Sequence, residues 1–261
     1  MTAPPLVLIT GASSGIGQAL ALRYHRAGWR LALVGRQADA LRQWATGQGL
    51  VVDGVAGAVY AADVRDVAAI TAAGRACIAA QGLPDVVIAS AGISIGMDTA
   101  DLADLDVMRA TFETNTLGLA ATFQPFVAAM RLRGSGALVG VASVAGIRGL
   151  PGHGAYCASK AAVISYCESL RGECRPFGVK VTTLVPGYID TPLTRRNRYS
   201  MPFLLSADAF ADRAFRSIGA GRRYRVIPWQ MGLVAALMRA LPAALFDRLF
   251  AGRARKRRRH E

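Results

Sequence analysis

The chain has 261 residues, 52% of them hydrophobic, with a mean hydropathy of +0.30; this suits one large α/β domain and excludes disorder over most of the length. The formal charge of +14 is uneven, because residues 1–190 hold 15 Lys/Arg against 13 Asp/Glu whereas residues 191–261 hold 16 against 4. A neutral body with a basic end argues against a nucleic-acid-binding protein and assigns the charge to a C-terminal module. The N-terminus MTAPPLVLITG lacks the basic stretch of a secretory leader and enters a strand at Leu6–Thr10. A helix over Ile16–Ala27 follows, then strands at Arg30–Val34 and Val55–Ala61, a helix over Val67–Ala80 and a strand at Asp85–Ala89. A helix over Val107–Met130, a strand at Gly136–Val141, a helix over Ala155–Arg175 and strands at Lys180–Val185 and Tyr224–Ile227 complete the series. The strands lack polar alternation and are separated by helices. They predict a single α/β domain with a seven-stranded parallel sheet covered on both faces. Right-handed crossovers make it a doubly wound, Rossmann-type domain, with ligands at the carboxyl ends of the strands.

Cys77, Cys157, Cys167 and Cys174 form no CxxC pair and read as reduced thiols of the cytoplasm. His25, His153 and His260 are too scattered to suggest a metal centre.

Two constellations carry chemistry. The first is TGASSGIG, residues 10–17, at the junction between the first strand and the first helix. Glycines there let the backbone turn tightly and approach phosphate, and the helix start offers free N–H groups; the bland alternative is a plain strand-to-helix turn. The second is Ser143, Tyr156 and Lys160. Tyr156 and Lys160 are four apart on one helical face, so an ammonium beside the phenol would lower its pKa and make it a usable acid or base. Ser143, at a strand end, could bond the same reacting oxygen.

With Thr10, Gly11, Gly15, Gly17, Asp63, Ala91, Gly92, Asn115, Ser143, Tyr156, Lys160, Pro186, Gly187 and Thr191 in this order, the chain resembles the short-chain dehydrogenase/reductase family over residues 5–191. The resemblance implies that Tyr156 exchanges a proton with the substrate oxygen, that Lys160 binds the nicotinamide ribose and depresses the tyrosine pKa, and that Ser143 holds the carbonyl. It implies a water in a proton relay between Asn115 and Lys160. It also places a dinucleotide against Thr10, Gly11, Ser13, Ser14, Gly15, Ile16 and Gly17. Asp63 and Val64 would meet the adenine end, Ala91 and Gly92 the adenosine ribose, and Pro186, Gly187, Ile189 and Thr191 the carboxamide end. Ser90 stands where the family commonly has Asn before Ala-Gly, a departure expected to affect stability more than activity.

The second strand ends Leu33-Val34-Gly35-Arg36 without the acidic residue that would bond a ribose 2′-OH. Arg36 suits a 2′-phosphate, so the expected cofactor is NADP(H); Asp39 begins the next helix.

The segments divide as 1–190, the cofactor-binding and catalytic core; 191–228, a substrate lid and the last strand; 229–252, amphipathic helices; and 253–261, a basic tail. The lid mixes Arg195, Arg196 and Arg198 with Tyr199, Met201 and Phe203, which suits an apolar pocket with basic groups at its rim. Leu233, Val234, Leu237, Met238 and Leu241 form one helical stripe, and Leu245, Phe246, Leu249 and Phe250 form another after Pro242. Neither is long enough to span a bilayer. They either pack on the domain or a partner subunit, or form a peripheral foot on an anionic inner membrane surface together with the basic tail. The expected function is NADP(H)-dependent interconversion of a ketone or aldehyde and an alcohol, with a hydrophobic small-molecule substrate and a homodimeric or homotetrameric state. The alternatives are a 3-oxoacyl reductase or hydroxy-acid dehydrogenase, and a non-catalytic NADP-binding sensor.

Overall fold

The computed structural model describes residues 3–52, 54–195, 197, 199–252 and 256–258. Arg196 and Arg198 of the expected lid, Arg253, Arg255 and Arg259 of the expected tail, and His260 lie outside the described residues.

Nine strands and nine α-helices are described: β1 (Leu6–Thr10), α1 (Gly15–Arg26), β2 (Arg30–Gly35), α2 (Ala38–Gly47), β3 (Gly57–Ala61), α3 (Val67–Gln81), β4 (Val86–Ala89), α4 (Asp104–Phe112), α5 (Gly118–Arg133), β5 (Ala137–Val141), α6 (Gly154–Cys174), β6 (Lys180–Pro186), β7 (Ile189–Asp190), β8 (Leu205–Ser206), α7 (Ala207–Gly219), β9 (Tyr224–Ile227), α8 (Trp229–Ala240) and α9 (Ala243–Phe250). The main sheet is all parallel, in the order β3-β2-β1-β4-β5-β6-β9. The chain winds outward from β1 in one direction and from β4 in the other. The crevice between β1 and β4 is therefore the switch point, where ligands of such sheets bind.

Side chains of β1 alternate between two cores: Leu6 and Leu8 face one, Val7 and Ile9 the other. All five residues of β1 are buried, which is why its sequence shows no polar alternation. Helices α3, α5 and α6 cover the first face through residues such as Ile70, Phe126 and Val163. Helices α1, α2 and α7 cover the second through Leu20, Leu41 and Phe210. Arg23 and Tyr24 of α1 grip Phe215 of α7, with the guanidinium 3.9 Å above that ring and the Tyr24 ring 4.9 Å from it edge-on.

Three expectations need correction. The helix expected over Val107–Met130 is α4, a π-helical turn at Glu113–Leu117, and α5. The strand expected from Val55 begins at Gly57, because Val55 is exposed and the chain at Gly57 lies so close to Val51 that a Cβ would stand 1.9 Å from its carbonyl oxygen. The two C-terminal stripes do not bury whole. In α8 the buried residues are Met231 and Ala235, while Leu233 and Leu237 stay exposed; in α9 Phe246 is buried while Leu245 and Leu249 are not. Arg148 explains how these helices dock on the domain. Its guanidinium donates to the carbonyls of Met238 and Leu241 at the end of α8 and lies 3.9 Å above the Phe246 ring. Among the described residues, no helix is long and apolar enough to cross a membrane.

Candidate active site

The floor of the crevice is made by two loops pressed together. Thr10, fully buried at the end of β1, accepts the Ser90 N–H on Oγ1 at 3.2 Å. Gly11 has φ +67°, and a Cβ there would stand 2.8 Å from the Ala91 backbone, so only glycine fits. Helix α1 then starts at Gly15 with its Ser14 cap making no side-chain hydrogen bond. A Cβ at Gly17 would stand 2.1 Å from the Gly11 carbonyl oxygen, so the first turn folds tightly onto the loop. A compact glycine turn at an uncapped helix start fits the pyrophosphate of a dinucleotide.

Ser143, two residues past the end of β5, is in extended backbone and caps a short 3₁₀ turn, its Oγ accepting the Ala145 N–H at 3.2 Å. That bond leaves the hydroxyl proton to point into the crevice. Gly146 packs this turn on α6, where a Cβ would stand 2.6 Å from the Lys160 backbone. Tyr156 and Lys160 lie on successive turns of α6, as their spacing predicts. Lys160 is buried and its Nζ donates to the Val141 carbonyl at 2.8 Å. Burial brings the ammonium down to about 8. The phenol of Tyr156 is raised by burial, and its hydrogen bond with Ser143 pulls the other way. Burial thus outweighs the lowering expected from Lys160, whose Nζ turns to Val141 and lies 5.9 Å from the Tyr156 ring centre. At neutral pH the pair is a neutral phenol beside a charged ammonium, a state suited to giving a proton.

Asn115 sits in the π-helical turn, fully buried. Its Oδ1 accepts the Ile93 N–H at 2.8 Å, and its Nδ2 donates to the Ile93 carbonyl and to Ser159 Oγ, each at 3.0 Å. Gly92 lies between it and the lysine, since a Cβ there would be 3.3 Å from Asn115 Oδ1 and 3.4 Å from Lys160 Nζ.

Arg36 is the first residue beyond β2 and is exposed at the rim. Among the described residues, no hydrogen bond or ion pair engages its guanidinium. Asp63 is held below the usual carboxylate range, chiefly by its hydrogen bonds to Arg65. Asp39 lies in the first turn of α2 and pairs with Arg42, as its assignment to the next helix requires. On the far side, a Cβ at Gly15 would stand 3.0 Å from Thr191 Cγ2, so the glycine loop and the segment after β7 touch. Of all the catalytic and cofactor positions expected from the sequence, only Thr10 and Asn115 do not line this cleft of about 380 Å³; both are buried beneath it.

The places of two residues escaped sequence reasoning. His153 precedes α6 with its Nδ1 3.2 Å from the Pro151 carbonyl and its Nε2 3.3 Å from the Tyr199 hydroxyl. Burial lowers the imidazole below its ordinary value, and the Lys256 charge adds to the effect. Its place three residues before Tyr156 was the available signal. Lys256 left none, since its neighbours are distant in sequence.

Chemistry gathered at the carboxyl ends of a doubly wound parallel sheet defines an α/β enzyme of the Rossmann type. The short chain dehydrogenase family model matches residues 5–201, and the chain belongs to the short-chain dehydrogenase/reductase family, as an oxidoreductase. It is 39% identical over 243 residues to an uncharacterized oxidoreductase of Myxococcus xanthus (strain DK1622), covering 92% of this chain and 94% of that one. A short-chain dehydrogenase from Sphingobium yanoikuyae, solved in complex with NADPH, is similar with a TM-score of 0.73 at 26% identity over 92% of this chain and 97% of that one. A short chain dehydrogenase/reductase from Burkholderia phymatum, solved in complex with NAD, shares the fold with a TM-score of 0.79 at 24% identity over 91% and 94%.

Proposed function

We propose that this chain is an NADP(H)-dependent reductase of ketones or aldehydes whose substrate is apolar. The observation that carries the reading is the meeting of Ser143, Tyr156 and Lys160 at the switch-point cleft with a phenol kept protonated. A dihydronicotinamide held in the cleft would supply the hydride that the carbonyl carbon takes up. Ser143, its own acceptor side engaged by Ala145, donates a hydrogen bond to the carbonyl oxygen. Tyr156 gives that oxygen its proton and is left as a phenolate, stabilised by the Lys160 ammonium and recharged from solvent through Lys160 and the polar groups beside Asn115.

Residues of the glycine loop would hold the pyrophosphate, Asp63 and Val64 the adenine end, Ala91 and Gly92 the adenosine ribose, Lys160 the nicotinamide ribose, and Pro186, Gly187, Ile189 and Thr191 the carboxamide end. Arg36 supports the 2′-phosphate, being exposed just past β2, close enough for its charge to act on Asp63 but with no hydrogen bond or ion pair among the described residues. Ile93, Ile95 and Leu193 in the lining support an apolar substrate.

The test is NADPH oxidation with a panel of aliphatic and aryl ketones and aldehydes. Tyr156→Phe is expected to lose about 10²–10⁴-fold in turnover while still binding NADPH. Binding of NADPH without turnover of any carbonyl by the native chain would favour a sensor instead.

For α8 and α9 the favoured reading is packing on the domain, with Trp229, Leu233 and Leu237 left outward as a surface for a second copy in a homo-oligomer. Four buried free cysteines support a reducing compartment, the cytoplasm. Sedimentation with anionic vesicles at moderate salt is expected to show no binding, because two cations of the tail, Lys256 and Arg258, are turned onto Ser94, Asp101 and Asp104.

A further inference from the structure

Residues 256–258 return to the catalytic face of the molecule and bind the mouth of the cleft. The Gly96 N–H donates to the Arg257 carbonyl at 2.9 Å. Lys256, only 9% exposed, donates from Nζ to Ser94 Oγ at 2.9 Å and reaches the Leu193 carbonyl at 3.5 Å. Ser94 stands between Ile93 and Ile95, which line the cleft, and Leu193 of the lid lines it as well. A single side chain therefore joins wall to lid. Arg258 anchors the segment through Asp101 and through Asp104 Oδ2 at 2.8 Å; the Asp104 carboxylate has no exposure, so its charge is matched where water cannot reach it. The seat is close-fitting, because a Cβ at Gly96 would stand 2.1 Å from the Lys256 carbonyl oxygen and 2.8 Å from that of Arg257.

We propose that this C-terminal segment is the outer wall of the substrate cleft, and that Lys256 is a positioning residue that determines specificity by tying the lid at Leu193 to the loop at Ser94, so that the site takes compact apolar carbonyl compounds. The proposal rests on the reductase reading for its substrate and on the contacts alone for its wall. A carbonyl compound sits between the two loops that Lys256 joins, so the bond holds the lid down on a short substrate and stops a long one.

The experiment compares the full chain with a truncation after Gly252, with Lys256→Met, Lys256→Arg and Gly96→Ala. Hydrogen exchange at the Gly96 amide and across residues 191–204 reads the wall without any turnover. Exchange there is expected to quicken about tenfold or more in the truncation, in Lys256→Met and in Gly96→Ala, and to be restored in part by Lys256→Arg. Kinetics with straight-chain aldehydes from propanal to decanal read the specificity. KM for propanal should rise about tenfold with kcat nearly unchanged, the preference for short over long chains should collapse, and NADPH affinity should stay as it was. Unchanged exchange overturns the wall, and so does a truncation that speeds propanal turnover, since the segment would then be a plug. A native chain that reduces no aldehyde overturns the specificity claim and the substrate of the reductase reading, and the exchange result still decides the wall.

Discussion

Asn115 holds Ile93 by both backbone atoms, taking its N–H on Oδ1 at 2.8 Å and giving Nδ2 to its carbonyl at 3.0 Å. The side chain thereby fixes the loop after β4, on which Gly92 approaches Lys160. Asn115→Ala leaves both backbone groups of the half-buried Ile93 and the Ser159 hydroxyl without this partner, and a lost partner costs about 1–3 kcal/mol where water cannot replace it. A loss of about 2–4 kcal/mol in urea unfolding is the expected outcome. A loss within 0.5 kcal/mol, roughly the range of neutral surface changes, would show that the clamp does not matter.

Burial brings the Lys160 ammonium down to about 8, so its charge is present at neutral pH and is lost as pH rises through that value. The phenolate formed by proton transfer needs that charge. The kcat/KM for carbonyl reduction is expected to fall about tenfold per pH unit above 8. In Lys160→Arg the charge persists and this falling limb should disappear from whatever activity remains. A profile flat to pH 10 in the native chain counts against the role given to Lys160.

Arg36 decides the cofactor in the proposed reading. Arg36→Asp removes a charge-assisted fork from the 2′-phosphate and supplies a carboxylate for a 2′-hydroxyl, so kcat/KM with NADPH should drop about 10–100-fold. With NADH it should hold or rise. A native preference for NADH would sink the assignment outright.

Gly74 of α3 faces Pro125 inside α5, where an added Cβ would stand 2.8 Å from Pro125 Cγ and 3.1 Å from Phe126 Cζ. Alanine gains about 1 kcal/mol of helix propensity over glycine. Neither neighbour can swing away, however, and overpacking of about 1–3 kcal/mol offsets that gain or exceeds it. Gly74→Ala should therefore lower the urea midpoint or leave it unchanged, while NADPH binding is retained. A clear rise in the midpoint would show that α3 and α5 part easily.

The sheet and the catalytic spacing could be read from the chain because both rest on local signals. The unbroken apolar run Leu6–Thr10 marks a strand covered on both faces, and a spacing of four puts Tyr156 and Lys160 on one helical face. Helix α7 was missed, within a stretch read only as a lid and the last strand, although its signals are local: Ser206 caps it by accepting the Ala209 N–H, and Phe210, Ala211, Ala214 and Ile218 bury at helical spacing. The π-helical turn left no such signal. Residues around it look helical, and what accompanies its widening is tertiary: Asn115 bonds Ile93, and Thr116 Oγ1 donates to the Ser159 carbonyl. Nor could the tail be read. Its charges look solvated until the fold brings Arg258 to Asp104, 154 residues away in sequence. The lowered phenol was likewise expected from spacing, which carries no information about the burial that raises it.

The short pair β7 and β8 has a consequence for how such a molecule can change. Ile189 pairs with Leu205 and Asp190 with Ser206, and the Leu205 N–H donates to the Tyr188 carbonyl at 3.0 Å. The two ends of the intervening stretch are therefore stapled together at the domain, and lengthening a loop whose ends already meet costs little entropy. Beyond Thr191, which packs on Gly15, the stretch is open to exchange. A protein engineer, or a lineage under selection for a new metabolite, could rewrite that stretch wholesale while leaving the seven-stranded sheet, the glycine turn and the Tyr–Lys pair as they stand.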